Sequence, residues 1–283
     1  MRLRELLRGK IPDDLLPLVP RSFDIIGSRE GAVAIIEIPD ELEPWKHVIG
    51  EALMKVHKHV RVVLRKCSER KGVYRLREYE VIAGSGSTEV IHKEYGCRIK
   101  VDPTKAYFSP RDSTERLRIA KQVRPGEVIM YMFAGVGPYA LIICRVQPRV
   151  YRIVSVEINP HAYQYMVENV ALNRVEDRVV PVLGDVRDVC PYWYGICDRV
   201  LMPLPKGAYQ YLDIAIKCLK PEGGILHFYH WAPEDRLFDE AEELIRKEAE
   251  KLGRAVKILS RRIVHPYAPY VYKICVDAYI YEE

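Results

Sequence analysis

The second half of the chain alternates between apolar runs of strand length and longer segments with helical spacing, and this alternation limits the possible folds most. Strands are predicted at 128–132, 152–157, 179–183, 199–202, 225–231, 256–264 and 270–281. Helices are predicted between them, one ending at 145 and others at 160–173, 208–219 and 235–252. Repeated strand–helix units predict an α/β fold with a doubly wound, mostly parallel sheet.

The first part of the chain lacks this regular alternation. It contains predicted strands at 32–38, 60–64 and 90–92 and a predicted helix at 44–60, and a further helix begins at Asp112 or Ser113. A chain of 283 residues is long enough for about two domains of roughly 100–200 residues each. We therefore expect a domain boundary near 112–124.

Composition excludes several classes of protein. The chain is 48% hydrophobic and 29% charged, which excludes a disordered or fibrous protein. No apolar run approaches the roughly 18 residues that cross a membrane, and charges interrupt the N-terminus where a signal peptide needs an apolar core. The seven cysteines form no Cys-x-x-Cys pair, and we assign His227 and His230 to packing rather than to a metal site. We expect a cytoplasmic protein without a bound metal.

Positive charge is concentrated in one short segment. The net charge is +5, but the segment from Lys55 to Arg77 holds nine basic residues and one acid, a local charge of +8. Such a segment is typical of a polyanion-binding surface, although a solvated strand or helix face has the same pattern.

A glycine-bearing loop, Phe-Ala-Gly-Val-Gly-Pro at 133–138, follows the first strand of the α/β part. Gly135 and Gly137 allow a tight turn and a close approach to a ligand. Glu157 ends the next strand, where a carboxylate can bind both ribose hydroxyls of a nucleoside, and Asp185 is placed to bind an adenine amino group. The proline at 138 removes an N–H that a pyrophosphate would need, so S-adenosylmethionine is favoured over NAD.

Several strings of residues resemble the archaeal and eukaryal type of tRNA (guanine-37) methyltransferase. They follow the same order along the chain: 11–24, 74–78, 91–94, 107–111 with 115–116, 132–138, 157–161, 184–187 and 267–269. The Pro-Leu-Pro sequence at 203–205 is most similar to the archaeal branch that makes wyosine derivatives. Members of that branch methylate C7 of 4-demethylwyosine at position 37, and some also methylate guanosine N1.

The resemblance implies a class I Rossmann-like methyltransferase domain that binds S-adenosylmethionine at 112–283, and a smaller N-terminal α/β domain that faces RNA at 1–111. It also implies that the partner is tRNA, bound at its anticodon arm around position 37, with no membrane association. We expect a monomer.

The resemblance further implies roles for two charged residues. Glu115 matches the general base that takes the N1 proton of guanine, and Arg75 matches the arginine that holds O6. The chemistry agrees, because guanine N1 becomes a good nucleophile only after deprotonation, and the charge then moves toward O6. The chain departs from the family at two positions. Tyr131 replaces an acid, and Pro203, followed by Pro205, replaces an amide that helps to fix the target base.

The remaining sites implied by the resemblance form two sets. The cofactor-binding set comprises Arg116, Phe133, Gly135, Gly137, Glu157, Ile158, Asp185 and Val186. The RNA-binding set comprises Lys55, Lys58, Arg61, Arg65, Lys66 and Arg111.

Three other functions stay open. A wybutosine-pathway aminocarboxypropyl transferase uses the same cofactor and nucleoside, although its loop usually lacks the Pro-Leu-Pro-Lys sequence found at 203–206. A tRNA-binding relative without activity would explain the changes at Tyr131 and Pro203. An NAD-dependent dehydrogenase lacks an evident partner for hydride transfer.

Overall fold

The computed structural model describes residues 2–283, which form two compact units; the first ends at Arg111 and the second extends from Asp112 to Glu283. The first unit contains a four-stranded sheet in the order β1-β2-β3-β4, together with a separate hairpin of β5 and β6. Its elements are α1 Leu3–Leu7, β1 Asp24–Ser28, β2 Gly31–Ile36, α2 Lys46–Val56, β3 Val60–Lys66, β4 Tyr79–Gly84, β5 Val90–Glu94 and β6 Cys97–Val101.

The helix α2 connects two parallel strands of this sheet, β2 and β3. Its buried side chains, which include Ile49 and Leu53, pack in one cluster with Val63 of β3 and Ile82 of β4. The predicted strands and helix of this region are present, but the helix spans Lys46–Val56 instead of 44–60, because 40–45 form a 3₁₀ turn and the chain turns after Val56 to begin β3 at Val60. The strands β1, β4 and β6 were not predicted, since each is short and carries polar residues.

The second unit is built on a seven-stranded sheet in the order β12-β13-β11-β10-β7-β8-β9. Its helices are α3 Ser113–Ala120, α4 Pro138–Val146, α5 Pro160–Leu172, α6 Val186–Val189, α7 Leu212–Cys218 and α8 Asp239–Lys251. Its strands are β7 Val128–Tyr131, β8 Arg152–Glu157, β9 Val179–Leu183, β10 Arg199–Met202, β11 Gly224–Pro233, β12 Ala255–Ala268 and β13 Val271–Tyr281.

Five neighbouring strands of this sheet are parallel, and the last two strands of the chain add an antiparallel edge. The chain moves outward from β7 through β8 to β9 and then returns to place β10 on the other side of β7. The predicted α/β class with a mostly parallel sheet is confirmed. In such sheets ligands bind where the strand order reverses, at the carboxyl ends of the strands, so the loops after β7 and β10 flank the expected crevice.

The core of the second unit lies between the sheet and the helices that connect its strands. Met130 and Val154 belong to one buried apolar cluster with Ile216 of α7 and Ile245 of α8. Among residues 2–283, no helix is both long enough and apolar enough to cross a membrane.

Candidate cofactor and catalytic site

The loop between β7 and α4 has a backbone conformation that requires glycine. Gly137 adopts φ +86° as the N-terminal cap of α4, and a Cβ there would lie 2.9 Å from Cγ of Met166 in α5. Gly135 and Phe133 also have positive φ angles, of 58° and 55°. The loop therefore turns sharply at the end of β7, and the glycine at 137 is fixed by packing as well as by its φ angle.

Glu157 closes this loop from the end of β8. Its Oε2 accepts a hydrogen bond of 2.6 Å from the N–H of Gly135, and its Oε1 accepts one of 2.8 Å from the N–H of Asn159. The residue is 9% exposed, and burial raises its pKa although these N–H groups oppose the shift. The N–H of Ile158 also acts on this carboxylate and lowers its pKa. Both carboxylate oxygens are acceptors, as two adjacent ribose hydroxyls require.

The loops after β7, β8 and β9 are joined by backbone hydrogen bonds. The N–H of Ala134 donates to the carbonyl of Val156 at 2.9 Å, and the N–H of Gly184 donates to the carbonyl of Glu157 at 3.0 Å. Three predicted cofactor residues follow on these loops: Ile158 is half-buried, Val186 is buried, and Asp185 is half-buried.

Asp185 also has a structural role. Its Oδ1 accepts a hydrogen bond of 2.8 Å from the N–H of Arg187 and so caps α6. The guanidinium of Arg187 lies 4.6 Å from the ring centre of Tyr211, which in turn contacts the ring of Phe133 edge-on at 5.2 Å. The predicted cofactor residues Phe133 and Asp185 are therefore each held in place by neighbouring groups of the same unit.

Arg116 lies on α3 and is 1% exposed. The pKa of Asp112 lies well below its usual range. Burial alone would raise it, but the charge of Lys273, a hydrogen bond with His265 and the charge of Arg116 lower it by more. Lys273 donates to Asp112 at 2.9 Å. Burial raises the pKa of Tyr131, and the positive charge of Arg116 opposes that shift. Arg116 is thus part of a buried cluster of charges at the end of β7.

Glu115, the predicted base, is 1% exposed and held by two neighbours. Arg118 donates from Nε to Oε2 at 2.9 Å and from Nη2 to Oε1 at 2.7 Å. The hydroxyl of Tyr229 in β11 donates to Oε1 at 2.7 Å. The sequence analysis did not identify Arg118 or Tyr229; the three-residue spacing of Glu115 and Arg118 on one helix was the available signal.

Arg118 connects Glu115 to a longer chain of buried charges. Its Nη1 donates to Asp277 at 2.5 Å, and His227 contacts Asp277 through Nδ1 at 2.6 Å. Arg199 lies 2.6 Å from Nε2 of His227 and makes two hydrogen bonds, of 2.8 and 2.9 Å, with Glu127. The prediction that His227 serves packing is therefore incomplete, because its ring joins two ion pairs.

The side chains of His227, Cys275 and Asp277 lie close enough together to share a metal ion, with ligand atoms within 4.8 Å of one another. Both nitrogens of His227 are already committed, one to Asp277 and the other to Arg199. Two guanidinium groups border this cluster, and their positive charge opposes a cation. We therefore assign the three side chains to the ion-pair network.

The loop after β10 presents a surface poor in hydrogen-bond donors. Pro203 and Pro205 have no N–H, and the N–H of Leu204 donates to the carbonyl of Met202 at 2.8 Å. All three loop residues are half-buried. Residues 203–205 can therefore offer a bound base apolar contact and carbonyl oxygens, but no free backbone N–H.

Arg75 lies in the first unit, in the segment between β3 and β4, with φ +56°. Its N–H donates to the carbonyl of Gly72 at 3.3 Å, and its own carbonyl accepts a hydrogen bond from Arg70 at 3.3 Å. The guanidinium of Arg70 lies 4.2 Å from the ring centre of Tyr107. These contacts hold the backbone around Arg75.

The predicted RNA-binding residues differ in exposure. Lys55, Lys58 and Arg61 are exposed, and Arg61 donates to the carbonyl of Glu30. The other three have acidic neighbours in the first unit: Arg65 pairs with Glu43 and Glu80, Lys66 lies 3.9 Å from Glu37, and Arg111 lies 2.7 Å from Asp24.

These pairs correct the charge estimate made from the sequence. The side chain of Arg65 is 17% exposed between its two acids, and burial lowers the pKa of Lys66. The local +8 is therefore partly neutralised by acids from other parts of the chain. That Arg65 contacts phosphates stays a prediction, and in this structure its charge is paired with Glu43 and Glu80.

Sequence profiles of known families match almost the whole chain. A profile described as the TRM5/TYW2 methyltransferase domain matches residues 90–259, and one described as the TYW2 N-terminal domain matches residues 3–88.

Three curated proteins illustrate the similarity. The tRNA (guanine(37)-N(1))-methyltransferase Trm5b of Pyrococcus abyssi is 43% identical over 94% of this chain and 77% of its own length. The tRNA(Phe) (4-demethylwyosine(37)-C(7)) aminocarboxypropyltransferase of Pyrococcus horikoshii is 33% identical over 99% and 97%. The tRNA 4-demethylwyosine(37)-methyltransferase Taw21 of Saccharolobus solfataricus is 33% identical over 87% and 90%.

Solved structures agree with these matches. The complex of aTrm5 with tRNALeu superimposes with a TM-score of 0.85 at 36% identity, covering 99% of this chain and 78% of that one. TYW2 of Pyrococcus horikoshii in complex with MeSAdo gives a TM-score of 0.82 at 32% identity, covering 99% and 98%. The chain belongs to the TRM5/TYW2 methyltransferase family.

Proposed function

We propose that this enzyme transfers a methyl group from S-adenosylmethionine to the purine at position 37 of tRNA, at N1 of guanosine or at C7 of 4-demethylwyosine. The family is one of S-adenosylmethionine-dependent enzymes that modify tRNA. The observation that carries the proposal is the carboxylate of Glu157, bound to the amide of Gly135 at the end of β8. That arrangement suits a ribose, whereas Pro138 leaves no complete cradle for a pyrophosphate.

The residues that would hold the cofactor follow from this arrangement. Glu157 would accept hydrogen bonds from the ribose hydroxyls, Asp185 would accept one from the adenine amino group, and Ile158 and Val186 would contact the ring. Phe133, Gly135 and Gly137 would shape the loop around the amino-acid part. When bound, S-adenosylmethionine supplies an electrophilic carbon attached to its sulfonium.

The chain's own residues would prepare the nucleophile. Glu115 would accept the proton from guanine N1, and Arg75 would neutralise the charge that develops on O6. A guanidinium suits this second task because it keeps its charge at every physiological pH. The roles of these two residues rest on their match to the family motif.

The loop at 203–205 supports 4-demethylwyosine, the larger of the two bases, as one of the substrates. It offers apolar surface and no free backbone N–H, so it would contact a wide planar ring system without selecting guanine through an amide. Similarity to Taw21, a 4-demethylwyosine methyltransferase, supports the same substrate. Pro203 and Pro205 would then define the pocket beside the target base.

Aminocarboxypropyl transfer to 4-demethylwyosine is a second candidate function. The TYW2 N-terminal profile matches residues 3–88, and the aminocarboxypropyltransferase of Pyrococcus horikoshii is covered over 97% of its length. The same cofactor site would serve this reaction if the aminocarboxypropyl carbon attached to sulfur, rather than the methyl carbon, faced the base. Higher identity to the methyltransferase Trm5b, 43% against 33%, supports methyl transfer.

One experiment separates these candidates. The purified enzyme would be incubated with S-adenosylmethionine and tRNA that carries either guanosine or 4-demethylwyosine at position 37, and the nucleosides and sulfur products would be identified by mass spectrometry. S-adenosylhomocysteine with a methylated base supports the proposal. Methylthioadenosine supports the second candidate, and no modified nucleoside with either tRNA would refute both.

We further propose that the second unit binds S-adenosylmethionine and supplies Glu115, and that the first unit supplies Arg75 and faces the anticodon arm of tRNA, with the enzyme acting as a monomer. Lys55, Lys58 and Arg61 support this placement, because they are exposed on one segment of the first unit. Light scattering of the purified enzyme, alone and with tRNA, tests the monomer directly.

A further inference from the structure

The two oxygens of the Glu115 carboxylate have different surroundings. Within residues 2–283, Oε1 accepts two hydrogen bonds, from Nη2 of Arg118 at 2.7 Å and from the hydroxyl of Tyr229 at 2.7 Å. Oε2 accepts one, from Nε of Arg118 at 2.9 Å. A carboxylate oxygen has two lone pairs, so Oε1 is saturated and Oε2 retains one free position.

Arg118 is itself held in place from the other side. It donates from Nη1 and Nη2 to the two oxygens of Asp277 at 2.5 and 3.2 Å, so its fork is fixed between two carboxylates. Although burial opposes the charged form, hydrogen bonds to Glu115 and Asp277 raise the pKa of Arg118 further above its ordinary value. Asp277 is anchored in turn by His227 at 2.6 Å. The guanidinium therefore cannot turn away from Glu115 without breaking a buried ion pair.

Three other titratable groups that interact with Glu115 are neutral. Burial raises the pKa of Tyr229, of Tyr139 and of Cys275 well above their usual ranges, so all three keep their protons. Tyr229 and Tyr139 are joined by a hydrogen bond of 3.2 Å. The Glu115 carboxylate thus faces a fixed cation and neutral hydroxyl and thiol groups.

We propose that Arg118 and Tyr229 are positioning residues that occupy Oε1 and hold Oε2 ready as the atom that takes the proton from the target base. This inference rests on the proposed function. The proton leaves N1 for Oε2, and the electron pair of the N–H bond remains on N1 and forms the bond to the incoming carbon. The pair of the broken carbon–sulfur bond stays on sulfur. Arg118 and Tyr229 keep the carboxylate correctly oriented during this step.

Single-turnover rates and KM for tRNA test this role. Arg118→Gln removes the two hydrogen bonds that the guanidinium donates to the Glu115 carboxylate, so we expect the rate to fall about 10- to 100-fold with KM for tRNA unchanged. Tyr229→Phe removes one hydrogen bond to a charged group, so we expect a fall of the same order, again with KM for tRNA unchanged. Arg118→Lys keeps a charged donor beside the carboxylate and should restore part of the rate.

Controls separate this role from a structural one. Arg236→Gln removes an exposed arginine that pairs with Glu243 at 3.2 Å in the same unit, and it should change neither the rate nor KM for tRNA. If Arg118→Gln does not fold, the nearly isosteric Tyr229→Phe still decides the question. Thermal melting of each variant shows which of them fold.

The outcomes distinguish this inference from the proposed function. Full activity of Glu115→Gln, or no transfer by the wild type, would overturn both. Loss of activity in Glu115→Gln together with wild-type rates in Arg118→Gln and in Tyr229→Phe would overturn the inference alone. A lower rate in Arg118→Gln at unchanged KM, which Arg118→Lys partly restores, would support it.

Discussion

Replacement of Glu157 tests the cofactor site most directly. The carboxylate would make two hydrogen bonds to ribose hydroxyls, and a hydrogen bond to a charged group contributes about 1.5–3 kcal/mol. Glu157→Ala removes both, a loss of about 3–6 kcal/mol, so we expect the Kd for S-adenosylmethionine to rise by at least about 100-fold. Glu157→Gln keeps one acceptor oxygen, and its effect should be smaller. Isothermal titration calorimetry at neutral pH measures both.

The pH dependence of the same site has a predictable sign. Burial raises the pKa of Glu157 above its ordinary value of 4.5, so the carboxylate takes up its proton at a higher pH in the folded protein than in the unfolded chain. A protonated Glu157 has lost its charge, so affinity for S-adenosylmethionine should fall as the pH drops through this window. The free energy of unfolding of the ligand-free protein should instead rise as the pH drops, because the folded state binds the proton more tightly than the unfolded chain does. Glu157→Gln should remove both effects.

The matched control for these measurements is Glu176→Gln. Glu176 is an exposed acid in the same unit, after α5. Its replacement should leave the affinity and its pH dependence unchanged. A Kd for Glu157→Ala within about threefold of the wild type would refute the assignment of Glu157 to the ribose, because a threefold change is under about 1 kcal/mol.

Three further predictions concern the other features of the molecule. Arg199→Met leaves Glu127 buried without its partner and should lower the free energy of unfolding by about 3–5 kcal/mol in urea denaturation followed by circular dichroism; a loss below about 1 kcal/mol would contradict the ion-pair assignment. The double change Lys55→Ala with Lys58→Ala should reduce the slope of log affinity for tRNA against log salt by about two, and an unchanged slope would place the RNA surface elsewhere. Gly137→Ala should lower the melting temperature, since alanine must adopt a positive φ against α5 and costs more than about 1 kcal/mol, and an unaltered melting curve would show that the loop relaxes.

The parallel sheet could be predicted because its central strands β7, β8 and β10 are buried on both faces and therefore read as continuous apolar runs. Met130 and Tyr131 in β7 illustrate this, since neighbouring residues that point to opposite faces are both buried. The edge strand β1 in the first unit has no such signal. Its residues are mostly half-buried, and Gly27 interrupts its short apolar run.

Apart from pairs on one helix, such as Glu115 with Arg118, charge pairing could not be predicted, because the partners are far apart in the sequence. The sum over residues 55–77 counts Arg65 as an unneutralised charge. Its partners Glu43 and Glu80 lie outside that segment, in the 3₁₀ turn before α2 and in the neighbouring strand β4. Likewise, only the fold brings Asp277 to Arg118. A sum of charges over a segment therefore overstates the positive charge that is available to a polyanion. Glycine positions and strand ends, by contrast, depend on local geometry and can be predicted from the sequence.

The tyrosine at 131 changes the charge balance near the cofactor loop. Its ring contacts Tyr139 edge-on at 5.6 Å, and Tyr139 reaches Glu115 through the hydroxyl of Tyr229. Burial raises the pKa of Tyr131, so the phenol is neutral where the family usually has an acid. An acid at 131 would add negative charge beside Glu157, whose pKa burial already raises. The neutral ring thus adds no negative charge near Glu157 and continues the uncharged tyrosine contacts from the end of β7 to Glu115, the predicted base.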